Sequence, residues 1–493
     1  MTAVIVGAGF AGIAAAIALR RRGIDDIVIL ERAPAVGGTW RDNTYPGVSC
    51  DVPSHLYSLA THPWPEWSRT FAPGGEIRAY LERVVRAEGL DRHLRLGTAL
   101  VGARWDGDAW AIRTAGPAPA DPGAGPAPDG EIRAAHLILA CGRLTEPRIP
   151  SIPGLESFPG PLFHSARWRH DVPVRGRRVA VAGTGASAVQ LVPELVRGGA
   201  EVVLLQRTPA WIVPRGDRRH DDAEIARWRE DPDAMRSLRD ALYAEGEARF
   251  ASRSGDPIAA AEARAAAIAH LEAQVPDPRL RAALTPDYAF GCRRVLLSDD
   301  FYPTIASGAT RLVPSALAEV DGEDLIAADG SRHRADVLVL ATGFEAARQP
   351  YARLVTGEDG TTLDEHWATG ATAAASTLVP GFPNLFVLGG PNAALGHNSA
   401  VLLLEAQADF AADLVAAELP VRATAEQEAR STAEVDALAA GTPWLTGGCR
   451  SWYVDERSGR LTLLWPGTVA AFRERLDRLR AQLIPATADQ GAS

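Results

Sequence analysis

Residues 4–31 hold the feature that most constrains the fold: an apolar run, a glycine turn, a helical stretch and a second apolar run that ends on an acid. The turn reads GAGFAG, with glycines at Gly7, Gly9 and Gly12, and the acid is Glu31. This order is typical of the βαβ unit that binds a dinucleotide, because the free N–H groups at the helix start attract a pyrophosphate. A carboxylate after the second strand suits the hydroxyls of an unmodified ribose and would repel a phosphate. We therefore predict that these four residues bind an adenine dinucleotide with a bare ribose.

The same pattern recurs in the second third of the chain. Its turn reads GTGASA, in which Gly183 and Gly185 take the first two glycine positions, Thr184 lies between them and Ser187 follows. In both copies 24 positions separate the first glycine from the residue that ends the second strand, but here that residue is Arg207. A guanidinium has forked donors and a permanent charge, which suit a 2′-phosphate. The second turn is therefore predicted to bind NADPH.

A loop rich in aromatic residues follows the first unit, over residues 37–57. Glycine, proline, asparagine and aspartate are frequent in it, which favours a loop, yet it also contains Trp40 and Tyr57. If the loop folds back over the nucleotide, it supplies a flat apolar wall and one buried carboxylate, Asp51. We expect this loop to border the bound dinucleotide.

The composition excludes several classes of function. The formal net charge is −10 and the pI about 5.6, so neither a nucleic-acid partner nor an anionic membrane surface is favoured. No apolar run has membrane length and the N-terminus carries no basic leader, which predicts a cytoplasmic protein. The four cysteines, Cys50, Cys141, Cys292 and Cys449, form no C-x-x-C pair. This spacing predicts reduced thiols and no zinc ribbon or other metal site.

The two units predict an α/β fold with two Rossmann-like dinucleotide-binding domains. Residues 216–290 are charged, alanine-rich and helix-periodic over most of their length, which indicates a helical insertion in the second domain. Residues 116–130 and the tail from residue 485 lack periodicity and are interpreted as a flexible hairpin tip and a disordered end. The expected division is a discontinuous first domain of residues 1–150 and 384–493, a second domain of residues 151–345, and a connecting segment near the active site of residues 346–383.

Three stretches together resemble the Baeyer–Villiger type of class B flavoprotein monooxygenases, in the flavin-containing monooxygenase superfamily. The sequence GGTWRDNTYPGVSCD at residues 37–51 matches the family's first fingerprint at every fixed position. Residues 158–168 match a second fingerprint, although Arg169 stands where the family has proline or aspartate. The third feature is the pair of nucleotide turns, closed by residues 336–343. The GPNAALGHN stretch at residues 390–398 is similar to the shorter bacterial members.

The resemblance implies two cofactors and a set of residues for each. FAD would be bound by Gly7, Gly9, Gly12, Glu31, Thr39, Trp40, Asp51 and Tyr57. NADPH would be bound by Gly183, Thr184, Gly185, Ser187, Arg207, Arg293 and Arg294. The implied reaction is hydride transfer to FAD, then O₂ addition to give a C4a-peroxyflavin that converts a ketone into an ester or lactone. Because negative charge develops on oxygen, we assign catalytic roles to Arg294 as the cation and to Asp51 as the group that orients it.

The residues leave alternatives open. The main one is a monooxygenase of the same architecture that acts on nitrogen or sulfur; others are an NADPH-dependent flavin oxidase or reductase and a nucleotide-sensing interaction protein. The expected partners are a small-molecule substrate and O₂, in a monomer or homodimer. His164 is expected to couple domain movement to the chemistry. If residues 373–376, with the sequence AAAS, line the substrate pocket, that pocket would be wide.

Overall fold

A computed structural model describes residues 1–116 and 128–484 of the chain. Most of the expected hairpin tip and the whole of the expected disordered tail lie outside these residues. The described part forms two parallel sheets with helices packed on them, which confirms the predicted α/β class with its two Rossmann-like units.

The first sheet has five strands within the described residues, and the first glycine turn follows its central strand. The order across the sheet, all parallel, is Leu385–Val387, His136–Leu139, Ala3–Val6, Ile27–Glu31 and Leu94–Leu96. Every residue of the central strand and of Ile27–Glu31 is buried, which explains their uninterrupted apolar runs. Through the edge strand Leu385–Val387, a late segment of the chain pairs with the sheet that the N-terminal segments form.

The second sheet repeats this arrangement around the second glycine turn. Its order, again all parallel over the described chain, is Thr310–Val313, Glu201–Leu205, Arg178–Ala182, Val337–Leu340 and Leu162–His164. In both sheets the turn lies at the carboxyl end of the central strand. Ligands of open parallel sheets bind at that end, so the topology agrees with two dinucleotide sites.

Smaller sheets flank the two units. The strands of a four-stranded sheet are Ala99–Trp105, Trp110–Ala115, Pro128–Ala134 and Val355–Thr356. A three-stranded antiparallel sheet consists of Leu317–Asp321, Asp324–Ala327 and Arg332–Arg334. A parallel pair, Ile212–Val213 and Leu296–Leu297, lies at the base of the helical insertion. Since Leu296–Leu297 follows Arg294 almost directly, this pair fixes where the arginine enters the site.

The helical insertion is present as the sequence predicts. Its helices are Asp222–Glu230, Pro232–Ala248, Phe250–Ser254, Pro257–Gln274 and Pro278–Leu284. Three of them begin at an Asp–Pro pair, at positions 231–232, 256–257 and 277–278. The aspartate accepts hydrogen bonds from backbone N–H groups of the first turn, and proline suits the first helical position.

The remaining helices cover the sheets. The α-helices are Phe10–Arg21, Thr39–Asp42, Gly74–Ala87, Ala186–Arg197, Phe301–Ala306, Leu363–His366, Ala400–Ala416, Ala425–Ala439, Pro443–Thr446 and Val469–Leu483. Four short 3₁₀ helices in the described part are Leu90–His93, Leu155–Ser157, Ser165–Arg167 and Pro350–Leu354. Phe10–Arg21 and Ala400–Ala416 share one hydrophobic core with the first sheet. No helix in the two described ranges combines the length and the apolar character needed to cross a membrane.

The prediction that all four cysteines are reduced is wrong. Cys292 and Cys449 form a disulfide, with 6.2 Å between their Cα atoms, whereas Cys50 and Cys141 are free. The two bonded cysteines are separated by 157 positions. Rules based on short C-x-x-C spacings cannot detect such a pair, because only the folded chain brings its members together.

Candidate active site

The two glycine turns have the same backbone geometry. Gly7 and Gly183 adopt φ values of +110° and +113°, which L-residues with side chains rarely adopt. The helices that follow begin after Gly9 and Gly185, and neither has a side-chain cap or an acid in its first turn. Their first N–H groups are therefore available to an anion at both turns.

Glu31 is buried under the first turn. Its carboxylate accepts hydrogen bonds from the N–H groups of Ala8, at 3.0 Å, and Ala33, at 2.9 Å. Arg41 contributes a salt bridge of 3.0 Å to the same carboxylate. A carboxylate has about four acceptor sites, so these three partners orient it and leave capacity for a ribose hydroxyl.

Thr184 and Ser187 occupy different positions in the second turn. The hydroxyl of Thr184 is buried and donates to the carbonyl of Thr208 at 2.9 Å, so it ties the turn to the segment that follows the strand Glu201–Leu205. Ser187 lies in the first turn of the helix and is half-buried beside Tyr45. The structure thus gives Thr184 a role within the turn and leaves Ser187 at its open side.

Arg207 and Arg293 lie close together beyond the second turn. The guanidinium carbon of Arg293 is 5.3 Å from the ring centre of Tyr288, and its Nε is buried without a hydrogen-bond partner among the described residues. Burial, together with the nearby positive charge of Arg207, lowers the pKa of Arg293. Neither arginine forms a salt bridge within residues 1–116 and 128–484. Two adjacent cations with an unsatisfied buried donor fit a dianionic phosphate.

The loop of residues 37–51 packs between the two glycine turns. At its beginning, a Cβ added to Gly9 would lie 3.6 Å from the Cα of Gly38. Further along, the hydroxyl of Tyr45 donates to the side chain of Gln190 at 2.9 Å, and that side chain donates to the carbonyl of Ser49 at 3.0 Å. Gln190 belongs to the helix of the second turn. The loop therefore connects the two dinucleotide sites physically.

Aromatic side chains form one wall near the first turn. The rings of Trp40 and Tyr57 are 5.6 Å apart, edge to face, and Tyr57 is 5.1 Å from Phe10. Thr39, which begins the short helix Thr39–Asp42, is exposed. These contacts agree with the expected apolar wall, with Thr39 at its open side.

Arg294 and Asp51 meet between the two units. The Nε and Nη2 atoms of Arg294 lie 2.7 and 2.6 Å from the same carboxylate oxygen of Asp51. Arg294 also donates to the carbonyl of Leu395 at 3.4 Å, within the stretch of residues 390–398. The side chains of the pair are 29% and 30% exposed, so the guanidinium is held yet reachable. The charge of Asp51 raises the pKa of Arg294, which stays cationic at any physiological pH.

Two residues near the pair, Tyr453 and Arg215, were not predicted. Tyr453 is fully buried beside Arg294, and its hydroxyl has no hydrogen-bond partner in the described part of the chain. Arg215 donates to the side chain and backbone of the loop at Ser49 and Cys50, at 2.9 and 3.1 Å. Their sequence contexts give no signal, because each reaches the site through contacts between distant segments.

Glu247 was also missed. It belongs to the helical insertion, and its carboxylate accepts from Asn398 Nδ2 at 3.0 Å and from the N–H of Val469 at 3.0 Å. His397 Nε2 lies 3.4 Å away. Glu247 therefore connects the insertion to residues 390–398. One glutamate in a helix rich in charged residues carries no sequence signal of such a role.

The other sequence features have structural environments of their own. His164 is buried, its Nδ1 accepts from the N–H of Ala166 at 3.1 Å, and burial lowers its pKa to about 4. Arg169, the departure from the second fingerprint, pairs with Asp171 at the surface. Residues 373–376 lie inside the protein, where Ser376 accepts from Arg475 at 2.8 Å. Their small size therefore serves internal packing, and the expected effect on pocket width has no support in this arrangement.

Comparison with known proteins gives consistent results across the chain. A family model described as an NAD(P)-binding Rossmann-like domain matches residues 5–72, and one described as pyridine nucleotide-disulphide oxidoreductase matches residues 127–221. The chain is 43% identical to a Baeyer-Villiger monooxygenase of Streptomyces coelicolor, over 99% of this chain and 94% of that one. Two solved structures each cover 98% of both chains: an oxidized steroid monooxygenase bound to NADP, with a TM-score of 0.83 at 30% identity, and an OTEMO complex with FAD and NADP, with a TM-score of 0.84 at 26% identity. The similarity thus includes both glycine turns and the segments between them.

Proposed function

The chain belongs to the Baeyer–Villiger monooxygenases, and from this premise we propose that its Arg294–Asp51 pair is the centre at which a ketone is oxygenated. The protein is an FAD- and NADPH-dependent monooxygenase, which inserts one oxygen atom of O₂ next to a ketone carbonyl to give an ester or lactone. The observation that carries the proposal is the contact between Arg294 of the second unit and Asp51 of the loop that follows the first.

The first site fits FAD. The uncapped helix start after Gly9 suits the pyrophosphate, and the buried Glu31 suits the adenosine ribose. The loop contributes Thr39, Trp40 and Tyr57, whose aromatic members form a wall for a flat ring. With Gly7 and Gly12 shaping the turn, these residues and Asp51 are our proposed FAD site.

The second site fits NADPH. Gly183, Thr184, Gly185 and Ser187 form the turn, where the uncapped helix start suits the pyrophosphate. Arg207 and Arg293 supply adjacent positive charge, and the buried Arg293 Nε lacks a partner among the described residues. We assign both arginines to the 2′-phosphate and Arg294 to the nicotinamide side of the site.

The protein's part in the chemistry is to hold a cation where oxygen becomes negative. Bound FAD, after reduction by NADPH, supplies the activation of O₂. Arg294 stabilises the negative charge that develops on the reacting oxygen, because a preorganised donor needs no reorganisation during the step. Asp51 accepts from two nitrogen atoms of Arg294 and so fixes the plane of the guanidinium. The carbonyl of Leu395 restrains the same group from another side.

We also retain the expected organisation as part of this proposal. The FAD domain would combine residues 1–150 with 384–493, which agrees with the pairing of Leu385–Val387 against His136–Leu139. The NADP domain would be residues 151–345, with residues 346–383 connecting the two. The substrate is proposed to be a small ketone, in a protein that acts as a monomer or homodimer.

Product analysis tests the function directly. The purified protein, supplied with NADPH, ¹⁸O₂ and a panel of cyclic and linear ketones, should give an ester or lactone that contains one ¹⁸O atom. The same panel should contain sulfides as competing substrates. NADPH consumption with hydrogen peroxide as the only oxygen product would contradict the proposal.

Replacing Arg207 by alanine should shift the cofactor preference. A charge-assisted contact is worth about 1.5–3 kcal/mol, so we expect KM for NADPH to rise roughly tenfold or more, and KM for NADH to change little. Steady-state kinetics with both cofactors measure this effect. Arg430→Ala is the matched control, because Arg430 is 66% exposed and pairs only with Glu426 in the described contacts. Equal losses with NADH and NADPH would contradict the assignment.

A further inference from the structure

The disulfide lies directly beside the arginines of the site. Cys292 immediately precedes Arg293 and Arg294, and its side chain is buried in a cluster with Trp211 and Phe290. Its partner, Cys449, belongs to the C-terminal part of the chain. The bond therefore connects the segment that carries both arginines to a segment that is 157 positions away.

Close packing surrounds this bond. The N–H of Ala289 donates to the carbonyl of Gly447 at 2.9 Å, and a Cβ on Gly447 would lie 3.0 Å from the sulfur of Cys292. Four positions after Cys449, Tyr453 is buried beside Arg294. The segment fixed by the disulfide thus also forms part of the environment of Arg294.

Arg294 needs this support because its own segment is irregular. Residues 285–295 contain no helix or strand, and they lead from the helix Pro278–Leu284 to the two-residue strand Leu296–Leu297. From this segment the arginine must reach Asp51, which is 243 positions away in sequence. A covalent cross-link restricts the conformations of such a segment, whereas a few hydrogen bonds can open locally.

We infer that the Cys292–Cys449 disulfide is a redox-sensitive clamp that positions Arg294 against Asp51. This inference rests on the proposed role of Arg294 in ketone oxygenation. Cys292 is 1% exposed, but Cys449 is only half-buried and lies between the exposed residues Gly448 and Arg450. A reductant can therefore approach the bond from the side of Cys449.

The chemical step requires a dithiol reductant. Its thiolate attacks the sulfur of Cys449, the S–S bond breaks, and the electron pair passes to Cys292, which takes up a proton. The second thiol of the reductant then attacks the mixed disulfide and releases Cys449 as a thiol. The protein gains two thiols, and the reductant leaves as a disulfide. The clamp is then open, and Arg294 is held only by its non-covalent contacts.

The experiment compares the full-length enzyme before and after dithiothreitol with the variants Cys292→Ser, Cys449→Ser and the double variant. Alkylation of the denatured protein should label two cysteines before reduction and all four after it, since the chain has four cysteines. Reduction should lower the amount of ester formed per NADPH consumed by roughly tenfold. A loss of this size lies within the range of rate losses caused when a catalytic group, here Arg294, is misplaced by about 1 Å. Sulfide oxygenation, which depends less on the cation, should remain. The double variant should resemble the reduced enzyme and should not respond to dithiothreitol.

Hydrogen–deuterium exchange separates this inference from the proposed function. In the intact protein, reduction should accelerate exchange in residues 285–295 and leave the central strand Ala3–Val6 unchanged, whatever the catalytic activity is. Labelling of four cysteines before reduction, or unchanged exchange after it, would overturn the clamp. If the untreated wild type forms no ester but exchange responds to reduction, the proposed function fails and the clamp stands. Reduction of the folded wild type provides the test even if the serine variants fold poorly.

Discussion

Replacing Arg294 by alanine is expected to lower kcat for ketone oxygenation by about 10²–10³-fold, the loss typical when a donor to a developing oxyanion is removed. The guanidinium is the group that Asp51 holds in place, through contacts of 2.7 and 2.6 Å. Without it, the negative charge on the reacting oxygen loses the cation that Asp51 orients. The measurement is the rate of ester or lactone formation at saturating NADPH and ketone.

Two comparisons make the Arg294 result specific. Arg294→Lys keeps the charge but loses the forked geometry, so it should recover only part of the lost rate. Oxygenation of a sulfide should fall much less than that of a ketone, since a soft nucleophile reacts with the protonated form of the oxidant. Arg430→Ala should leave both reactions unchanged, because Arg430 is a surface residue with 66% exposure. Equal losses of ketone and sulfide oxygenation would instead indicate a structural role for Arg294.

Local patterns predicted the two dinucleotide units well. The strands Ala3–Val6 and Arg178–Ala182 and the helices after each glycine turn lie where the sequence placed them. These elements are recognised from local sequence patterns, namely apolar runs and glycines at fixed spacing. Such patterns can be identified without knowing the long-range contacts of the fold. The helical insertion was also predicted, because its charged, alanine-rich sequence is helix-periodic over most of its length.

The contacts that build the site were harder to predict. Asp51 and Arg294 were identified through the family resemblance, and their direct contact appears only in the folded chain. No sequence motif surrounds Glu247 or Tyr453. Glu247 was identified from its contact with Asn398, and Tyr453 from its buried hydroxyl. The disulfide was missed for the same reason, since a separation of 157 positions leaves no spacing pattern.

One conditional expectation depended on where residues 373–376 lie. Their small size would imply a wide pocket if they lined it, but Ala374 and Ala375 are 0% and 1% exposed and pack in the core of the first unit. Ala375 and Ser376 also adopt positive φ values of 43° and 62°. A tight, buried turn favours small side chains for packing reasons alone, so sequence cannot separate this situation from a pocket wall.

Replacing Gly12 by valine should abolish FAD binding. Even a Cβ at this position would lie 1.8 Å from the carbonyl oxygen of Gly7, so the turn that receives the pyrophosphate must move. The added Cβ and the carbonyl oxygen are both attached directly to the backbone, so neither can rotate away as the end of a long side chain could. Purified Gly12→Val protein should lack the visible flavin absorbance and all oxygenase activity, while NADPH binding at the second turn should persist. Gly75→Ala is the matched control, because a Cβ there meets nothing within 4 Å. Retention of stoichiometric FAD by the valine variant would show that the pyrophosphate does not approach this turn.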